Sequence, residues 1–161
     1  MFDTLLNQQW LPIAFIFFGI LAFVAWRRQR DQKWIQNRFG SDKNMLAISF
    51  GVICYGQESD IGESKRKRGF LILMPDRIFF RSRSANLEVN IPAKDFRRVY
   101  HDVIHKGEDV HQSLVKIEYR NKNKKKDCAS FKVPYPPQWI SAIENALHSK
   151  NRIKNLEEEQ E

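Results

Sequence analysis

Cysteine is almost missing from this 161-residue chain: Cys54 and Cys128 are the two it has. Two thiols alone do not make a zinc site. Both stand in apolar, strand-like stretches, which fits reduced, buried thiols in a cytosolic compartment. Histidine is sparse too, with four copies. His101 and His105 fall on one face of an expected strand, about 13 Å apart at 3.3 Å per residue, too far to share one ion. With Asp102, Glu108 and Asp109 beside them, solvated or hydrogen-bonded imidazoles are the expectation. Ser113, Ser130 and Ser141 lack a G-x-S-x-G setting, and neither cysteine sits in a nucleophile motif. G-x-x-x-x-G-K-[ST] and G-x-G-x-x-G are also missing. The expectation is therefore no catalytic residues, no cofactor and no metal.

Charge is missing from Thr4 to Trp26, 23 residues in a row, and the next four, Arg27-Arg28-Gln29-Arg30, carry three positive ones. An apolar run closed by arginines reads as a membrane span whose following segment stays in the cytoplasm. From Trp10 to Trp26 a helix covers about 25 Å at 1.5 Å per residue, and Leu5 and Leu6 can extend it. Trp10 and Trp26 bracket the run, where indoles favour the lipid–water interfaces, and Arg27, Arg28 and Arg30 anchor the inner one. Pro12 is expected in the first helical turn, where a missing amide proton costs little. A cleaved signal would carry Lys or Arg before the run and small residues after it. Here Asp3 is the sole charge before it and bulky Trp26 closes it. A buried core helix is disfavoured by a segment apolar on every face. The reading is a single-pass anchor in the cell (inner) membrane, N-terminus outside.

Acids are few beyond the anchor. All 27 Lys and Arg lie between residues 27 and 154, a stretch holding 14 of the 19 acids, so it carries about +13 before the acidic run Glu157–Glu161. Such a surface is drawn to anionic lipid headgroups or nucleic acid. Aromatic residues are not interleaved with the basic runs as a stacking platform needs, which disfavours nucleic acid.

Residues 1–26 are thus the N-terminal segment and span, and 27–43 a basic linker that Trp34, Ile35 and Phe39 can continue as helix until Gly40. Residues 44–150 form one domain and 151–161 a charged, disordered tail. Seven strand-like runs occupy the domain: Met45–Tyr55, Phe70–Met74, Arg77–Arg83, Leu87–Ile91, Phe96–Ile104, Leu114–Tyr119 and Ala129–Val133. Pro75-Asp76 closes one hairpin and the tip Asn121–Asp127 another. In the fifth run alternation puts Phe96, Arg98 and Tyr100 on one face and Arg97 and Val99 on the other. After Pro136-Pro137, the residues Trp139, Ile140, Ile143, Ala146 and Leu147 recur at helical spacing.

The hairpin Gly69-Phe-Leu-Ile-Leu-Met-Pro-Asp-Arg-Ile-Phe-Phe80, the strand Leu87-Glu-Val-Asn-Ile-Pro92 and the helix containing Trp139 resemble a pleckstrin-homology-like domain, particularly its bacterial and GRAM-type members, over about residues 44–150. The resemblance implies a mainly β fold, a seven-stranded partly open barrel capped by a C-terminal α-helix with Trp139 packed into it. It also implies headgroup binding among the loops joining strands one–two, three–four and six–seven. Here those loops hold Lys65, Arg66, Lys67 and Arg68, then Arg81 and Arg83, then Lys122, Lys124, Lys125 and Lys126. The expectation is a membrane-anchored, non-enzymatic binding or scaffolding module that recognises acidic phospholipid headgroups or an acidic partner. Its rival is a subunit or assembly factor of a membrane protein complex, docking through the barrel edge or the C-terminal helix.

Overall fold

The computed structural model describes residues 3–40, 45–60, 66–84 and 86–158. The chain divides into two compact units, Met1–Asp42 and Lys43–Glu161. The first holds one helix, α1 (Asp3–Phe39), unbroken through the apolar run and the arginine cluster. Pro12 is not in the first turn as expected, because α1 starts at Asp3, more than two turns earlier. Its ring leaves one helical carbonyl without an amide partner, and the helix continues past it. Every side chain from Trp10 to Trp26 is exposed, and the helix is apolar on all its faces over that stretch. Trp10–Phe39 is long and apolar enough to cross a membrane, with a mean hydropathy of 1.9 in its apolar window. The arginines beyond fold back one turn onto aromatic rings. Arg27 lies 5.4 Å from the Phe23 ring centre, Arg30 6.0 Å from Trp26 and Arg38 5.3 Å from Trp34. At Gly40 the chain turns out of the helix, its amide donating to the Gln36 carbonyl at 2.9 Å.

The second unit is one antiparallel sheet and a helix. Its strands are β1 (Ala47–Gln57), β2 (Lys67–Leu73), β3 (Arg77–Ser82), β4 (Glu88–Pro92), β5 (Phe96–His105), β6 (Glu108–Arg120) and β7 (Lys126–Lys132), with α2 (Pro136–Glu158) last. The spatial order is β4-β3-β2-β1-β7-β6-β5. The seven strands and closing helix expected from the sequence are thus present. β1 joins the two halves: Ala47–Cys54 pair with β2, and Ile53–Gln57 pair with β7. As its pairing passes from β2 to β7 the register of β1 shifts at Phe50/Val52 and at Cys54/Gly56, irregularities that bend a strand. Gly51 and Gly56 sit there with φ of 77° and 99°, a region a side chain would strain.

The core lies between the two halves. Leu71, Leu73, Ile78, Phe80, Ile91, Val115, Ile117 and Phe131 interdigitate, with the Phe80 and Phe131 rings 5.5 Å apart. Each such side chain contributes about 1.5–3 kcal/mol on burial. From α2, Trp139, Ile143 and Leu147 enter the same core, and the helix rests on β5, β6 and the 3-10 turn Ala93–Asp95. Residues 151–158, expected to be part of a disordered tail, are helical backbone. No glycine or proline interrupts the chain after Pro137. The β5–β6 hairpin is longer than expected, β6 starting at Glu108 rather than Leu114. Lys106 and Gly107, both with positive φ, form its two-residue turn.

Candidate anion-binding site

Strand register decides where the basic loops go. Gln57 at the end of β1 pairs with Ala129 near the start of β7. Beyond that pair the Glu58 amide donates to the Cys128 carbonyl, and the Ser59 amide and hydroxyl donate to the Asp127 carboxylate at 3.1 and 2.5 Å. The β1–β2 connection therefore lies against the β6–β7 hairpin. On its other side the Arg83 amide donates to the Arg68 carbonyl at 2.9 Å. That bond ties the β3–β4 connection to the start of β2. All three connections meet at one end of the sheet. The chain enters β1 from the opposite end, since Ala47 pairs with Leu73 beside the β2–β3 turn.

At that end Arg66 and Arg68 are exposed and Lys67 half-buried. Lys65 lies outside the described residues. Arg66 rests on the Tyr55 ring at 5.2 Å. Arg81 faces Glu88 across the β3–β4 pair at 3.4 Å, and Arg83 is half-buried. Lys122, Lys124, Lys125 and Lys126 are exposed. Their hairpin is held by Asn121, whose Oδ1 accepts from the amides of Asn123 and Lys125 at 2.9 and 3.1 Å. Lys124 takes a left-handed backbone there, φ 58°. Trp10 and Trp26 are exposed near the two ends of the apolar stretch of α1, with Arg27, Arg28 and Arg30 on the turn that follows.

A cleft of about 630 Å³ opens beside the β6–β7 hairpin, lined by Arg97, Arg98, Glu118, Tyr119, Arg120, Lys124 and Lys126. Three of its arginines were not among the expected site residues. For Arg97 and Arg98 the reason is a β-bulge: Phe96 pairs with Tyr119 and Arg98 with Glu118, leaving Arg97 as the extra residue. Strict alternation fails at that point. Phe96 and Val99 both enter the core, while Arg97 and Arg98 are both exposed. The neighbouring pair Arg97-Arg98 was the available signal, but the bulge that turns both outward is not written in any local motif.

Electrostatics divide the cleft. Glu118, its side chain 8% exposed, takes Arg98 at 2.6 Å and Lys126 at 3.1 Å. The Arg98 hydrogen bond, with Lys126 assisting, holds its carboxyl down at about 2. Further along the same outer face, Lys116 meets Glu58 at 2.8 Å and Asp102 at 3.4 Å. Burial opposes the Lys116 charge, but the hydrogen bond to Glu58 and the surrounding charges outweigh it and raise its pKa. Tyr100 lies between Arg98 and Lys116, 4.8 and 5.9 Å from its ring centre, and burial pushes its hydroxyl up to about 12.

The histidines do not share a face, because a second bulge at Asp102/Ile104 separates them. His101 is exposed, its Nε2 2.7 Å from Ser113 Oγ, whereas His105 is buried with Nδ1 3.0 Å from Ser130 Oγ. Burial, reinforced by Lys106 and Lys116, lowers the His105 pKa. Neither Ser–His pair lines the cleft. Both cysteines are buried, unbridged thiols, and burial pushes each up to about 11. Among the described residues no group of His, Cys, Asp and Glu is arranged to hold a metal ion.

No family model matches the chain, and no curated protein matches it in sequence. Solved structures do resemble it. A chain of the 8S snRNP assembly intermediate aligns with a TM-score of 0.52 at 7% identity, over 67% of this chain and 85% of that one. The Vps36 N-terminal PH domain gives 0.48 at 14% identity, over 67% and 81%. The C-terminal domain of an unknown protein from Leishmania infantum gives 0.45 at 13%, over 64% and 83%. At such identities the likeness is one of fold, and function has to be argued from the site.

Proposed function

We propose that this chain is a membrane-tethered, non-enzymatic binding module with its N-terminus outside and its seven-stranded domain in the cytoplasm, presenting a basic end to an acidic partner. One observation carries the reading: register gathers the β1–β2, β3–β4 and β6–β7 connections at the end of the sheet opposite to where the chain enters. The arginines that close the apolar run of α1 support the orientation. Helix continues for 13 residues past Trp26, as far as Phe39, which at 1.5 Å per residue is about 20 Å.

The test uses the full chain in nanodiscs of zwitterionic lipid. It is offered a poly-glutamate peptide, or separate vesicles containing phosphatidylserine. Binding should be saturable and fall steeply between about 50 and 300 mM salt, as exposed charges are screened. Arg66→Gln, Lys67→Gln and Arg68→Gln together should abolish it. Binding that survives both high salt and the triple variant overturns the reading, and favours docking through the sheet edge or α2.

A further inference from the structure

The cleft beside the β6–β7 hairpin shares Lys124 and Lys126 with the basic end, but none of Arg66, Lys67, Arg68, Arg81 or Arg83 lines it. Five cations and one carboxylate surround its space of about 630 Å³. That volume is in the range of small-ligand sites, whose walls are usually apolar. At about 30 Å³ per water it holds roughly 20 waters, room for a compact ion but not for a helix or a strand pair. Gathering five cations costs repulsion that Glu118 offsets only in part. Its two oxygens are taken by Arg98 and Lys126. Among the described residues no carboxylate pairs with Arg97, Arg120 or Lys124. These three come from the β5 bulge, the last residue of β6 and the hairpin tip, so they approach the space from different elements. Guanidinium forks match the tetrahedral oxygens of phosphate bidentately and are less hydrated than ammonium groups.

We propose that this cleft is a phosphate-selective site in which Arg97, Arg120 and Lys124 bind a small ligand carrying clustered phosphate groups, while Glu118 acts as a positioning residue that fixes Arg98 and Lys126 as its wall. The proposal rests on the reading of the chain as a binding module and places a second, smaller ligand on it. Glu118 makes the idea testable against simple charge counting. Removing a carboxylate from a basic cleft should tighten anion binding if only net charge matters. Removing a positioning residue should weaken it, because two cations then lose their fixed places.

The experiment is calorimetric titration of the full chain, in zwitterionic nanodiscs, with tripolyphosphate. Citrate serves as a carboxylate control, and vesicles with 10% phosphatidic acid as a lipid source of phosphate. Saturable one-to-one binding of tripolyphosphate is expected, with citrate at least about tenfold weaker. Arg97→Gln and Arg120→Gln should each cost about tenfold, as loss of a charge-assisted hydrogen bond does. Glu118→Gln should weaken binding, and Glu118→Asp should restore part of it. Competition by the vesicles assigns the phosphate to a headgroup, and its absence assigns it to a soluble ligand; either supports the site. Equal affinity for citrate, or tighter binding by Glu118→Gln, overturns the proposal. So does an equal loss in the Arg66→Gln/Arg68→Gln variant. That variant also separates the two claims: it should lose poly-glutamate while keeping tripolyphosphate.

Discussion

Replacing Asp127 by alanine should detach the β1–β2 connection from the β6–β7 hairpin, and the cost can be worked from the contacts. Asp127 is buried, 4% exposed. Its Oδ1 accepts from the Ser59 and Cys128 amides at 3.1 and 2.8 Å. Its Oδ2 accepts from the Ser59 hydroxyl at 2.5 Å and from the Tyr119 hydroxyl at 3.4 Å. In the alanine variant the Ser59 hydroxyl can turn to water, but the two amides and the buried Tyr119 hydroxyl lose an acceptor. At about 1 kcal/mol for each, the low end for a stranded donor, the loss is about 3 kcal/mol. For a domain of this size that lowers Tm by roughly 10 °C. Asparagine keeps one carbonyl for the amides, and the two hydroxyls can reverse to accept from its NH₂. Asp127→Asn should therefore cost about 1 kcal/mol. Thermal melts of the full chain in detergent micelles, followed by labelling of the buried thiols Cys54 and Cys128, report on the domain rather than on α1, which has no cysteine. Hydrogen exchange at Ser59 reports the local detachment. An alanine variant melting within 2 °C of wild type, or an asparagine variant as damaged as alanine, would refute the clamp.

Two further outcomes follow from contacts elsewhere in the domain. Glu118 has a folded pKa of about 2 against an ordinary 4.5, so folding favours its ionised form. Its contribution is fully present above about pH 4.5 and is lost as pH falls towards 2. The Tm gap between wild type and Glu118→Gln should be open at pH 6 and close by pH 2 to 3; a gap independent of pH contradicts the assignment. At Gly69 an added Cβ would run into the Arg81 carbonyl and the Phe80 ring across the β2–β3 pair. Gly69→Ala should therefore cost more than about 2 kcal/mol by overpacking despite its higher strand propensity, and a variant as stable as wild type in urea would show that β3 can yield.

Much of the domain was legible because its signals are local. Pro75-Asp76 turns the β2–β3 hairpin, Asn121 and its neighbours turn β6–β7, and Trp139, Ile143 and Leu147 mark the buried side of α2. A charge-free run followed by arginines announces, through composition alone, a helix long and apolar enough to span a membrane. Strict alternation does not hold along β5. The β5 bulges at Phe96/Arg98 and Asp102/Ile104 reverse faces, so that Arg97 joins Arg98 outside and His105 turns inward from His101. The Lys106-Gly107 turn starts β6 at Glu108, earlier than the apolar run at Leu114 suggests.

What the sequence by itself determined is therefore the apolar helix and its arginines, the strand and turn order, and a basic excess carried on loops. Each depends on residues within a turn or two of one another. The tertiary structure alone decided which basic residues meet. Arg97 and Arg98 reach Arg120, Lys124 and Lys126 only through the β5–β6 register and one bulge, and the carboxylate dividing them is Glu118 from β6. Register is a cooperative property of the whole sheet, set by which faces can be buried together, and so the cleft could not be read from any window of the chain.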